Sequence, residues 1–159
     1  NDITDEARNS WEGMKNIGCD GAKVLADDVV YFGVRDTEEP EDKQIEKLGI
    51  KNYMVDEVRY RGLDTCVNEA LDTLSNCDLI YISFDVDSMD CDLISYGTGT
   101  PVPKGFDQFE IIEIINKIIA SNKVASIEFV EVNPLLDFKG NKMAETAFEV
   151  LDAVTKKLK

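Results

Sequence analysis

The sequence contains no histidine, and its four cysteines are not arranged as metal-binding pairs. Cys19, Cys66, Cys77 and Cys91 show no CxxC spacing, so neither a zinc site nor a disulfide framework is predicted. Hydrolytic metal sites commonly recruit imidazole ligands. A metal centre built by this chain must therefore use oxygen ligands only, or part of it must be missing.

Basic residues and long hydrophobic runs are also scarce. The 17 Lys and Arg residues face 32 Asp and Glu, which gives a formal net charge of -15 and argues against a nucleic-acid partner or an anionic membrane surface. No apolar stretch approaches the ~20 residues that span a bilayer, and the first residues do not resemble a secretory signal. We expect a cytoplasmic protein with reduced cysteines. Its acidity suits a cationic small molecule but also simply favours solubility.

Apolar strand patterns alternate with amphipathic helix patterns along the chain. Strands are predicted at 29–34, 50–55, 79–84 and 124–130, and helices at 4–17, 43–48, after 55, at 63–74, 108–120 and 141–158. An acidic loop is expected at 37–42, and a long loop at 85–106. This order predicts one domain of the α/β class, with a parallel sheet and helices on both faces.

Acidic residues follow three of the predicted strands, at Asp36, at 85–90 and at Glu131. Ligands of such sheets gather at the carboxyl ends of the strands. Asp85 and Asp87 would point to the same face if the strand continued between them, and could then bind a hard divalent metal. A helix cap, a turn or a solvated edge remains the alternative for this pair.

Other uses of the acidic segment fit less well. The glycine and distal glutamate of an EF-hand loop are not at the required positions, and Ser88-Met89 is unlike the residues that follow an aspartyl nucleophile in phosphotransferases. The turn at 97–101, with sequence GTGTP, could face a ligand or be a simple loop corner. Glu131 could bind a guanidinium group through two hydrogen bonds, or could be exposed and without a role.

Four motifs, in this order, resemble the signatures of the arginase/agmatinase ureohydrolases, and resemble arginase most. They are Tyr31–Asp36 with Glu38 and Glu41, Ser83–Asp90, Gly97–Val102 and Val130–Pro134. The resemblance covers nearly all of the chain from about Val29 onward. It implies an arginase-like three-layer α/β/α fold, of which this chain would form a part.

The resemblance also implies a dinuclear manganese centre whose bridging hydroxide attacks a guanidinium carbon and releases urea. Asp85 and Asp87 would be metal ligands. Glu131 and Thr100 would be catalytic residues: Glu131 would hold the guanidinium group, and Thr100 would line the site. Oxygen ligands suit Mn²⁺, and a carboxylate matches the geometry of a guanidinium.

Further residues have implied roles around this centre. Glu38 and Glu41 would contact the amino-acid end of the substrate, although Glu38 stands where arginases usually have aspartate. Asp90 and Glu128 would support the site, with Glu128 replacing an aspartate of the family. Cys91 replaces a customary proline.

The family's other ligands, two histidines and two aspartates, belong to an N-terminal half without a counterpart here. Residues 1–159 are thus expected to be the C-terminal portion of one arginase-like domain, with low or no activity alone. The complete protein would use two Mn²⁺ ions to hydrolyse L-arginine to L-ornithine and urea, as a homo-oligomer. Agmatine or formiminoglutamate hydrolysis, or a non-catalytic family member, are the alternatives.

Overall fold

The computed structural model describes residues 3–158, and helices alternate with short strands along them. The elements are α1 (Asp5–Lys15), β1 (Val30–Phe32), α2 (Glu39–Leu48), β2 (Lys51–Tyr53), α3 (Val55–Arg61), α4 (Leu63–Thr73), β3 (Ile80–Asp85), α5 (Gln108–Ile119), β4 (Val124–Val130) and α6 (Lys142–Thr155). Short 3₁₀ turns lie at Ala26–Asp28, Val86–Ser88 and Pro134–Leu136. This order confirms the predicted α/β class. No helix in the described residues has both the length and the apolar character that crossing a membrane requires.

Helix α2 begins at Glu39, so the predicted acidic loop at 37–42 and helix start at Lys43 are wrong. The Glu38 amide donates a hydrogen bond to Glu41 Oε2 over 2.8 Å at the start of the helix. Pro40 fits the first turn because its missing N–H has no intrahelical partner there. Carboxylates in the first turn are also stabilised by the positive end of the helix dipole. The acidic residues of this segment therefore belong to the helix and not to a loop.

The four strands form two separate parallel pairs. β1 pairs with β2 from Val30–Lys51 to Phe32–Tyr53, and β3 pairs with β4 from Ile80–Val124 to Asp85–Val130. The predicted parallel pairing is confirmed, but the prediction of a single sheet is wrong, because no strand pairing joins β1 to β3 within residues 3–158. The facing edges of β1 and β3 are therefore open.

The two pairs nevertheless run in the same direction. The segments that precede β1 and β3 contact each other, and so do the segments that follow them. Before the strands begin, Cys77 Sγ lies 3.5 Å from Asp28 Oδ1. After the strands end, the Arg35 guanidinium donates hydrogen bonds to the carbonyls of Ser88 and Met89. The carboxyl ends of all four strands thus lie at the same edge of the fold.

The core lies between the β3–β4 pair and the packed helices α4, α5 and α6. Val67 and Val150 are fully buried there, and the Phe84 and Phe129 rings meet edge to face, with their centroids 5.1 Å apart. Asp107 caps α5 by accepting hydrogen bonds from the amides at 109 and 110, both over 2.8 Å. The core thereby fixes the position at which β3 and β4 end.

The opposite face of the β3–β4 pair is exposed. Tyr81 and Ser83 alternate with the buried Ile80 and Phe84, so β3 is buried on one face only. On the exposed face, Ser83 Oγ donates a hydrogen bond to Glu128 Oε1 over 2.8 Å. The largely apolar sequence of 79–84 predicts more burial than this strand has.

Candidate metal and substrate site

The chain turns sharply as soon as β3 ends at Asp85. Asp85 Oδ1 accepts a hydrogen bond from the Asp87 amide over 2.8 Å, and Ser88 Oγ donates one to the Asp85 carbonyl over 2.7 Å. The condition that the strand continues through Val86 is therefore not met, because a 3₁₀ turn begins there. The turn, rather than strand alternation, places the Asp85 and Asp87 carboxylates beside the same cavity.

Two hydroxyl groups from the glycine-rich turn hold the Asp87 carboxylate. Thr98 Oγ1 donates to one oxygen of Asp87, and Thr100 Oγ1 donates to the other. Thr98 is buried, whereas Thr100 is exposed and borders the cavity. The turn at 97–101 therefore orients an acidic side chain and is more than a loop corner.

Glu131 follows β4 directly and has a left-handed backbone conformation, with φ of 64°. The segment after it is tied to the glycine-rich turn, because the Asn133 amide donates to the Gly97 carbonyl over 2.8 Å. A Cβ placed on Gly99 would lie 3.8 Å from Glu131 Oε2. Since both neighbours of Gly99 donate to Asp87, the Asp87 and Glu131 carboxylates lie on the same side of the molecule.

The Asp85 carboxylate is affected by burial and by the two neighbouring carboxylates. Burial raises the pKa of Asp85, the negative charges of Asp87 and Glu131 raise it further, and the hydrogen bond from the Asp87 amide opposes the change. Among the salt bridges of the described residues, none involves these three side chains. A bound cation would relieve this repulsion.

Arg35 connects the loops around the site, and the sequence places it at this strand end without indicating which groups it contacts. Its guanidinium donates hydrogen bonds of 2.7 to 3.3 Å to the backbone carbonyls of Gly33, Ser88, Met89, Val102 and Pro103. Burial lowers the pKa of Arg35, and the nearby Asp90 opposes that effect. No pattern in the sequence marks these contacts, because the carbonyls come from segments far apart in the chain.

A cavity of about 460 Å³ extends between β1 and β3 to the carboxylates. The two strands form its walls, and its floor is made of apolar side chains from α4 and α5. Asp85, Asp87 and Thr100 border it where the strands end. Glu41 lines it as well, whereas Glu38 does not.

The sequence model of the Arginase family matches residues 13–155. The arginase of Bacillus subtilis (strain 168) is 35% identical over 143 residues, which cover 90% of this chain and 48% of that protein. The arginase of Plasmodium falciparum is 34% identical over 134 residues, covering 82% of this chain and 32% of that protein. The chain belongs to the arginase family.

Solved structures agree with this membership. The crystal structure of Bacillus subtilis arginase matches with a TM-score of 0.81, covering 90% of this chain and 48% of that one. Helicobacter pylori arginase matches with a TM-score of 0.89 at 27% identity, covering 100% and 52% respectively. These matches confirm a partial arginase-like α/β fold. The present chain spans about half the length of these two relatives.

The resemblance to the family implies manganese, and two carboxylates of this chain have donor atoms of the kind that this metal accepts. Asp85 and Asp87 offer the oxygen ligands that Mn²⁺ accepts, and each carboxylate oxygen keeps a lone pair after one hydrogen bond. Within residues 3–158, however, no three His, Cys, Asp or Glu side chains are grouped closely enough to hold a metal ion. The Asp90 carboxylate is buried and accepts hydrogen bonds from the amides at 92 and 93, so it stabilises the loop.

The other residues predicted for the site lie on α2 and β4. Glu38 and Glu41 are exposed at the start of α2. Glu128 lies on the exposed face of β4, where hydrogen bonds from the hydroxyls of Tyr81 and Ser83 lower its pKa. The roles assigned to these residues stay predictions.

Proposed function

We propose that the complete protein hydrolyses L-arginine to L-ornithine and urea with two manganese ions. One observation carries the proposal: Asp85, Asp87 and Glu131 lie at the same strand edge, and none of them forms a salt bridge inside the described residues. Membership of the arginase family supports a hydrolase. Relatives named as arginases, such as arginase-1 of Rattus norvegicus, favour arginine as the substrate.

Each residue of this site has a distinct task in the proposed reaction. Manganese, when bound, supplies hydroxide near neutral pH and stabilises developing negative charge. Asp85 and Asp87 would contribute two of its ligands, and the hydroxyls of Thr98 and Thr100 would keep Asp87 oriented. The Glu131 carboxylate would accept two N–H groups of the guanidinium and so hold its carbon beside the metals.

The opposite end of the substrate would meet a second acidic group. Glu41 borders the cavity, and its carboxylate would face the α-ammonium group of arginine. Glu38 precedes it at the helix start and would contact the same end. We further propose that the complete protein is a cytoplasmic homo-oligomer.

The substrate is tested with the protein encoded by the complete open reading frame. The purified protein is loaded with Mn²⁺ and given L-arginine, agmatine or formiminoglutamate, and urea or formamide release is measured. We expect the highest kcat/KM with L-arginine. The formimidoylglutamase of Bacillus subtilis, which matches with a TM-score of 0.76 at 26% identity over 84% of this chain and 42% of that one, makes formiminoglutamate the main competitor. Absence of hydrolysis of all three would favour a non-catalytic family member.

Replacing Asp87 tests the metal site within the same protein. Asp87→Asn removes a charged ligand, so we expect kcat/KM for arginine to fall by about 100-fold or more. Asp72→Asn, an exposed change in the last turn of α4, is the matched control and should leave activity unchanged. Equal activities of the two variants would contradict the assignment of Asp87.

The isolated chain of 159 residues should bind Mn²⁺ weakly and release no measurable urea, because two carboxylates do not complete a dinuclear centre. Calorimetry with MnCl₂ and a urea assay measure both properties. Manganese-dependent urea release by this chain at the rate of an intact arginase would overturn this part of the proposal.

A further inference from the structure

The segment between β4 and α6 is attached to the loop that leads into the glycine-rich turn. Asp137, in this segment, accepts a hydrogen bond from the hydroxyl of the buried Ser95 over 2.8 Å. The Lys139 ammonium group donates to the Ile94 carbonyl over 3.1 Å. Two successive residues of the loop are therefore fixed just before the turn begins.

Gly97, the first residue of the turn, packs against the same carboxylate. A Cβ on Gly97 would lie 2.7 Å from Asp137 Oδ2 and 2.7 Å from the Met143 Cβ, so the site has no room for a side chain. The next residue, Thr98, donates a hydrogen bond to Asp87. Asp137 thus contacts the chain on the residue directly before the hydroxyl that holds Asp87.

The Asp137 carboxylate joins this loop to helix α6. Its Oδ2 accepts hydrogen bonds from the Ser95 hydroxyl and from the Met143 amide, and its Oδ1 accepts one from the Lys139 amide. Burial raises the pKa of Asp137, but these hydrogen bonds and the Lys139 charge outweigh burial and leave the pKa below its ordinary value. An ionised carboxylate only accepts hydrogen bonds, so it can serve all of these donors together.

Capping of α6 is the simpler role for Asp137. The Met143 amide lies in the first turn of the helix, where backbone donors have no intrahelical partner. A cap alone, however, requires neither the hydrogen bond from the buried Ser95 nor the tight packing at Gly97. These two contacts connect Asp137 to the turn as well as to the helix.

We propose that Asp137 is a positioning residue for the metal site, because it fixes the start of the turn whose hydroxyls hold Asp87. The role at the metal rests on the proposed function, in which Asp87 is a ligand. Asp137 does not border the cavity, so it acts only through the turn. Groups that orient a metal ligand typically change metal affinity by about 10–100-fold when they are removed.

Side-chain rotamers test this role in the metal-free chain. Three-bond NMR couplings report the χ1 rotamers of Thr98 and Asp87, and we expect a single rotamer for each in the wild type. Asp137→Ala should distribute both side chains over several rotamers, because the turn loses its attachment. Ala147→Gly is the matched control, since it weakens α6 from within and keeps the Asp137 carboxylate. It should leave both rotamers unchanged.

Unchanged rotamers of Thr98 and Asp87 in a folded Asp137→Ala protein would overturn the proposal. An equal change in Ala147→Gly would also overturn it, because the effect would then follow from a weaker helix. If Asp137→Ala does not fold, Ser95→Ala decides, since it removes the hydrogen bond to the loop and leaves the cap of α6. We expect mixed Thr98 rotamers in that variant, and a single one would contradict the proposal.

Manganese binding by the complete protein provides the second measurement. Electron paramagnetic resonance measures the free Mn²⁺ that remains in a titration. We expect Asp137→Ala to raise the Kd for Mn²⁺ by about tenfold or more, and Ala147→Gly to leave it unchanged. Excess Mn²⁺ should restore arginine hydrolysis by Asp137→Ala, because the substrate contacts are intact.

Equal Mn²⁺ affinities of wild type and Asp137→Ala would overturn the role at the metal site, even if the rotamers change. A loss of hydrolysis that persists at saturating Mn²⁺ would contradict it too. If the complete wild-type protein binds no Mn²⁺ and hydrolyses no arginine, the proposed function fails. The rotamers of Thr98 and Asp87 still decide whether Asp137 positions the turn, so the two failures are distinguishable.

Discussion

Arg35 connects segments of the chain that are far apart in sequence. Five backbone carbonyls accept hydrogen bonds from this one side chain, and two of them, those of Ser88 and Met89, follow directly after Asp87. A guanidinium has five donors in a rigid plane, so it is suited to bind several carbonyls at once. Arg35 thereby fixes the loop that carries the candidate metal ligand.

Loss of this guanidinium should weaken the fold. Arg35→Met keeps an unbranched stem but leaves partly buried carbonyls without donors, so we expect the free energy of unfolding to fall by about 2–3 kcal/mol. Urea denaturation followed by circular dichroism measures the change. Arg8→Met, at an exposed position of α1, is the control, and an equal effect of both substitutions would contradict the role of Arg35.

Gly105 lies against this same region and leaves no room for a side chain. A Cβ there would lie 2.4 Å from the Met89 carbonyl carbon and 2.5 Å from an Arg35 nitrogen. Because a backbone atom is involved, the clash cannot be relieved by rotating a side chain. Gly105→Ala should therefore destabilise the protein by about 1–3 kcal/mol.

A glycine in open surroundings provides the control for that substitution. Gly13 lies within α1, and a Cβ there would meet no atom within 4 Å. Gly13→Ala should leave stability unchanged or raise it by about 0.5–1 kcal/mol, since alanine favours the helix. Thermal unfolding of both variants distinguishes the two cases, and a Gly105→Ala protein as stable as Gly13→Ala would show that the packing is looser than described.

At the level of elements, the longer helices could be predicted closely from sequence. The predicted helices 63–74 and 108–120 correspond to Leu63–Thr73 and Gln108–Ile119, because apolar periodicity and the capping Asp107 mark them. The start of α2 could not be predicted in the same way. A run of acidic residues is also typical of a loop, and only the capping contacts in the structure identify it as the beginning of a helix. The separation of the strands into two pairs also escapes the sequence, as strand order depends on contacts between distant segments.

The candidate site was predictable to a similar degree. Asp85 and Glu131 follow apolar strands, so the shared strand edge could be inferred from parallel topology. The hydrogen bonds from Thr98 and Thr100 to Asp87 could not be inferred, because they depend on the conformation that brings the long loop back to Asp87. Asp90 is predicted to support the site, and its carboxylate accepts hydrogen bonds within the loop that follows Asp87.

A bidentate ion pair joins α3 to the first turn of α5. Arg59 donates from two nitrogens to the Glu110 carboxylate, both over 2.7 Å, and Glu110 also accepts from the Asp107 amide. These hydrogen bonds lower the pKa of Glu110, and those with Glu110 raise the pKa of Arg59. The pair links two helices that the sequence separates by about fifty residues.

This ion pair should contribute stability that depends on pH. A lowered carboxyl pKa stabilises the folded state above the ordinary value of 4.5, and that contribution is lost as pH falls through the folded pKa. Glu110→Gln should reduce the free energy of unfolding by about 1 kcal/mol at pH 7, a value limited by partial exposure. The difference from wild type should shrink below pH 4.5, which denaturation at several pH values would measure. Glu113→Gln, in the next turn, is the control; a difference that stays constant with pH would contradict the assignment.

For the whole molecule, the architecture places part of the negative charge at one edge of the strands. The net charge of -15 is carried by a chain of 159 residues, and some of it is concentrated at the strand edge that holds Asp85, Asp87 and Glu131. Self-repulsion of this size keeps molecules apart at neutral pH. Cations that bind at the carboxylates reduce it locally.

The open edges of β1 and β3 have a consequence for how the chain behaves at high concentration. Unpaired strands are templates for intermolecular stacking into fibrils, and the negative charge is the main barrier against it. As pH approaches the isoelectric point of about 4.3, that barrier disappears. Light scattering and thioflavin T fluorescence should therefore rise steeply between pH 6 and pH 4.5.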